Sequence, residues 1–151
     1  MSFRASHVAL KAAAEDFTSV TFADITSLTL PVIDGGRYRV DAMVVFLCDV
    51  LTTGLALKIL APTGILNCVV GIPETTNGTA MIHWGNVRTS GDTVTAPTVG
   101  SITATYTATI SGVLAPTAAG DITLQAALSS AVGAPTISIK QGSFLRLEHV
   151  E

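Results

Sequence analysis

Residues 101–111 read SITATYTATIS. Every second position, Ile102, Ala104, Tyr106, Ala108 and Ile110, is apolar or small, and every position between them is Ser or Thr. A period of two predicts a β-strand with one face buried. β-branched residues fill the stretch, and their stiff side chains suit a pleated surface. Its outward face is polar yet uncharged, fit for water or for another protein.

The same pattern extends in both directions. Residues 18–22 and 25–32 read as strands broken at Ala23-Asp24, and Asp34-Gly35-Gly36 is a strong turn signal. Residues 37–51 form the longest strand candidate. One of its faces carries Tyr38, Val40, Ala42, Val44, Phe46 and Cys48. The other passes from Arg39 and Asp41 to Met43, Val45 and Leu47. A strand apolar on both faces is covered on both sides. If one side is the core, the other meets an N-terminal arm or a second subunit. Further strands are expected at 55–60, 65–70, 80–87, 121–128, 136–140 and 143–150, with loops at 73–78 and 88–99. This gives nine to ten strands in an antiparallel two-sheet β-sandwich. Residues 1–16 read as an arm and 17–151 as one domain.

The chain has 151 residues and a mass of 15.5 kDa, enough for one domain with a real core. Charged residues make up 13%, about half the usual share of roughly 25%, and mean hydropathy is +0.56. Few charges imply either a membrane or a surface covered by protein. No apolar run approaches the roughly 20 residues of a spanning helix. Aromatic residues, at 5%, are too sparse for the girdles of a membrane barrel. The composition therefore favours an oligomer or a subunit of a larger assembly. A net charge of −3 and eight scattered Lys and Arg argue against a nucleic-acid groove. No signal peptide is legible, so synthesis in a cytosol is expected, with Cys48 and Cys68 as buried free thiols.

Residues for chemistry are dispersed. His7, His83 and His149 have no metal-ligand spacing to one another or to either cysteine. No nucleophile elbow surrounds a serine, and no helix follows Gly35-Gly36 to bind phosphate. His83-Trp84 reads as a satisfied histidine beside a buried or interface tryptophan. No cofactor or metal is expected.

Several motifs together resemble a group of tailed-phage structural proteins. They are Ser27-Leu28-Thr29-Leu30-Pro31-Val32 followed by Gly35-Gly36-Arg37-Tyr38-Arg39-Val40, then Thr52-Thr53-Gly54-Leu55 with Leu57 and Pro62. Ile110-Ser111-Gly112-Val113-Leu114 leads to Pro116-Thr117-Ala118-Ala119-Gly120. The closing stretch runs Ile137-Ser138-Ile139-Lys140-Gln141-Gly142-Ser143-Phe144-Leu145 with Glu148. The resemblance covers about residues 25–150. Cys48 and Asp49 depart from it, and residues 67–99 match nothing in it. It implies a jelly-roll sandwich like the tumour-necrosis-factor and C1q heads, commonly threefold on capsids or tails.

The expectation is a non-enzymatic virion protein, made in the host cytoplasm and placed on the capsid surface as a trimeric decoration or cement protein. Its partners would be itself and a phage major capsid protein. Self-association is expected at Met43, Val45 and Leu47, and contact with the capsid or a neighbouring protomer at Phe3, Arg4 and His7. The rivals are a tail, baseplate or receptor-binding head acting through loops at 67–78 and 88–98, and a cupin-like enzyme, for which clustered His and Glu are lacking.

Overall fold

The computed structural model describes residues 5–150. Twelve strands make up the regular structure: β1 (Ser6–Leu10), β2 (Glu15–Phe17), β3 (Ala23–Val32), β4 (Tyr38–Cys48), β5 (Leu55–Leu60), β6 (Gly64–Thr76), β7 (Thr79–Val87), β8 (Thr93–Thr95), β9 (Tyr106–Pro116), β10 (Gly120–Leu128), β11 (Ile137–Ile139) and β12 (Phe144–His149). The larger, eight-stranded sheet runs β1-β12-β4-β9-β6-β7, with β11 against β4 and β2 against β11. The smaller, four-stranded sheet runs β3-β10-β5-β8, and all pairings are antiparallel.

The core lies between the two sheets. In β4 the buried positions alternate through Val40, Val44, Phe46 and Cys48, as the period of two requires. They pack in one cluster with Leu28, Leu57, Ile59, Ile122 and Leu124 of the smaller sheet. The turn into β4 is fixed locally. Gly35 takes a φ of +73°, the left-handed region that favours glycine, and the Ile33 N–H donates to the Tyr38 hydroxyl at 3.1 Å. β6 and β7 are joined by Asn77 and Gly78 at φ +50° and +75°, the two-residue turn whose twist matches a hairpin.

The structure corrects several expectations. The strand predicted over 101–111 begins only at Tyr106. The Ser101 hydroxyl instead accepts from the Thr103 and Ala104 N–H groups at 3.2 and 3.3 Å, a local turn that competes with a ladder. Residues 18–22 are irregular, whereas Ala23 and Asp24 belong to β3. Residues 73–78 are not a loop but the end of the β6–β7 hairpin, and β8 interrupts the loop expected at 88–99. The described residues form twelve strands rather than nine or ten because of the short pieces β1, β2 and β8, which pair with β12, β11 and β5. The segment read as an arm pairs with β12 from Ser6↔Glu148 to Leu10↔Phe144.

Both thiols are free and buried. Burial pushes the Cys68 thiol up to about 11, and burial, with Asp49's charge, also raises Cys48. Cys68 faces Gly112, which in turn faces Val40. From Val40 to Cys48 the strand rises on the order of 25 Å, far beyond disulfide reach. Native protein is therefore expected to leave a thiol reagent almost unreacted until denaturant is added. An intact-mass measurement showing a Cys48–Cys68 bridge would contradict the register.

A candidate contact surface on the larger sheet

The two sheets turn different faces outward. On the smaller sheet the outward row Asp24, Gln125, Lys58 and Thr93 is polar. Gln125 donates to Asp24 at 2.7 Å, the Thr29 and Thr123 hydroxyls bond at 2.5 Å, and the Lys58 ammonium sits 4.3 Å from the Phe22 ring centroid. That face is finished for water.

The outward face of the larger sheet is not. Its register lines up Leu10, Phe144, Met43, Thr109, Gly71 and Trp84 in one cross-strand row. Leu10 is 61% exposed, Met43 39% and Trp84 63%. The next row is Val8, Arg146, Asp41, Ser111, Val69 and Asn86. Within it Arg146 donates to Asp41 at 2.7 Å, and the Arg39 guanidinium lies 3.5 Å from the same carboxylate. These charges pair with one another, and the rest of the row, Val8, Ser111, Val69 and Asn86, is uncharged. Val45 and Leu47 continue it along β4, half-buried. Large apolar side chains exposed together on one sheet face, as Val8, Leu10, Met43 and Trp84 are, mark a candidate contact site.

Trp84 is not buried, contrary to one branch of the sequence reading. Gly71 explains its pose: a Cβ there would lie 2.5 Å from the indole ring, so the ring rests flat on the bare backbone. One ring face is fixed and the other is open. The partner of Trp84 in the sequence, His83, points to the opposite face. Its Nδ1 lies 3.6 Å from a Glu74 carboxylate oxygen that is buried and has no hydrogen-bond partner.

The expected site residues do not form one cluster. Met43, Val45 and Leu47 share the outward face. His7 pairs with Leu147, a core residue, so it sits exposed on the opposite side of the edge. Phe3 and Arg4 lie outside the described residues. Trp84, Leu10 and Phe144 were missed as members of the patch because only the register brings them into line with Met43.

Among the described residues, no three of His, Cys, Asp and Glu come together as metal ligands do. A cleft of about 280 Å³ lies beside Lys11, Glu15 and Ser27. Its charged groups bind each other: Lys11 Nζ is 2.5 Å from Glu15, and the Thr26 N–H and hydroxyl donate to the same carboxylate at 2.9 and 2.8 Å.

An antiparallel two-sheet sandwich with this strand order is a jelly roll of the tumour-necrosis-factor type. The chain is similar over 98% of its length to 93% of the Eiger TNF from S. frugiperda, at 12% identity and a TM-score of 0.53. Weaker likenesses are to infectious bursal disease virus, Gt strain (15% identity, 97% of this chain, 41% of that one, TM-score 0.34), and to the VP2 subviral particle of the same virus (9%, 97%, 41% and 0.29). No protein-family model and no curated protein sequence matches the chain.

Proposed function

We propose that the chain is a non-enzymatic structural subunit of a virus particle, a homotrimer that decorates and clamps the head of a tailed phage. The observation that carries the self-association is the contrast between the two outward faces: polar on the smaller sheet, apolar from Leu10 to Trp84 on the larger. The phage head, and its major capsid protein as partner, rest on the sequence motifs of residues 25–150.

The mechanism is burial. Each covered apolar Å² contributes about 25 cal/mol, and a standard contact covers about 800 Å² per partner. A subunit that binds only the assembled shell stabilises that shell by mass action. His7 would then reach the shell from the β1 edge, on the side away from Met43, Val45 and Leu47, and Phe3 and Arg4 are proposed as further contact residues.

The test is to mix the purified protein with empty, expanded phage heads and sediment them. The reading expects the protein to travel with the heads and to raise the temperature at which they break open. Heads that sediment bare, with unchanged heat resistance, would overturn the decoration role.

A further inference from the structure

β7 closes one edge of the larger sheet, and its outer side is unpartnered. In the hairpin register Thr76↔Thr79, Met81↔Glu74 and His83↔Ile72 exchange bonds inward. The N–H and C=O groups of Ala80, Ile82, Trp84 and Asn86 therefore point outward, and none has a hydrogen bond among the described residues.

The other edges are defended. β8 and β2 are three residues long. β3 is long, but it carries Asp24 and Pro31. It is also kinked where Ser27 takes a φ of +74° and the ladder slips between Thr123 and Gln125. β1 is five residues long and runs into Lys11. β7 has nine residues, TAMIHWGNV, with no Lys, Arg, Asp, Glu, Pro or bulge. Ile82 and Trp84 stand exposed on it. A long, apolar, unprotected edge pairs with another strand.

We propose that β7 is a second self-association site, at which it pairs antiparallel with β7 of another copy about a two-fold axis beside His83. The sequence is self-complementary in that register. Ile82 falls opposite the other copy's Trp84, and Ala80 opposite its Asn86. About eight backbone hydrogen bonds form, two for each outward pair. Trp84 is already flattened on Gly71, so the facing isoleucine packs beside a side chain with little ordering left to do. The contact joins two eight-stranded sheets into one, and it uses an edge rather than the face that holds Met43 and Val45. A three-fold face and a two-fold edge on one subunit generate a closed hexamer or a continuous layer.

Three variants of the full chain test this by mass in solution. Ile82→Lys places a charge in the pairing edge. Ala80→Pro removes only an outward N–H, which the folded subunit does not use. Each is expected to weaken association through the edge at least tenfold with the far-ultraviolet spectrum unchanged, and at working concentration to leave three-chain particles. His83→Cys, oxidised, is expected to give disulfide-linked pairs, since the two axis residues would face each other at about 4.5 Å between Cα atoms. Val45→Asp, which weakens the face contact instead, is expected to leave edge-paired dimers. Masses unchanged by both Ile82→Lys and Ala80→Pro, or no cross-linked pairs from His83→Cys, would overturn the proposal.

Discussion

Val45→Asp is expected to weaken the proposed three-chain assembly. Val45 lies on β4, half-buried, next along the outward face from Met43; Thr107 faces it on one side, and on the other Lys140 donates its backbone N–H to the Val45 carbonyl at 2.7 Å. Two other charged groups of the face, Arg39 and Arg146, already pair with Asp41. A carboxylate at 45 would be covered by the next subunit with Lys140 as its neighbouring cation, so two charges would leave water together. The desolvation that the pairing does not offset costs about 1–3 kcal/mol, roughly ten- to a hundredfold in affinity per contact. The isolated subunit is expected to keep its far-ultraviolet spectrum and its melting temperature within a few degrees, because the side chain points away from the core. Light scattering that finds the variant still trimeric would place the three-fold contact elsewhere.

The second large effect is on stability. Lys11 is buried, with its ammonium held by Glu15 at 2.5 Å and by the Thr26 carbonyl at 3.2 Å. Glu15→Ala strands that charge and also removes the acceptor of the Thr26 N–H. A loss of about 3 kcal/mol is expected, or roughly 10 °C in melting temperature. Lys11→Met together with Glu15→Ala should cost less, since neither charge is then left alone. The pair also sets an acid dependence. Burial pushes the Glu15 carboxyl up, but hydrogen bonds from Lys11 and Thr26 outweigh it and hold the group below its ordinary 4.5. Its folded value is thus below its unfolded one. The stabilisation is complete above the ordinary carboxylate range and is lost as pH falls through the lowered folded value. Glu15→Ala should therefore narrow the stability gap to wild type as pH drops from 5 towards 3 (roughly the span of a lowered carboxylate). A gap that stays constant with pH would mean that the pair contributes no charge-dependent stability.

What the sequence made legible was whatever depends on alternation within one strand. The buried set of β4 and the outward Met43, Val45 and Leu47 follow from a period of two, as do β5, β10 and β12. What stayed hidden depends on neighbours. Pro73 argued for a loop, yet β6 tolerates it. Its ladder with β9 ends at Gly71↔Thr109, so the missing N–H has no acceptor to disappoint. Ile102 and Ala104 kept the alternation but have no facing strand, so Ser101 folds them into a turn instead. The patch itself was only partly visible. Met43 could be read from its own strand, whereas its alignment with Leu10, Phe144 and Trp84 is set by registers between strands far apart in sequence.

On the proposed assembly, the outward face of the larger sheet is covered by other copies of the chain. The most direct measurement is the mass of the purified wild-type protein by sedimentation, followed down a dilution series. Particles of three chains of 15.5 kDa each are expected, or a multiple of three where edges also pair, giving way to single chains only on dilution. A protein that remains single at the highest concentration reached would contradict it.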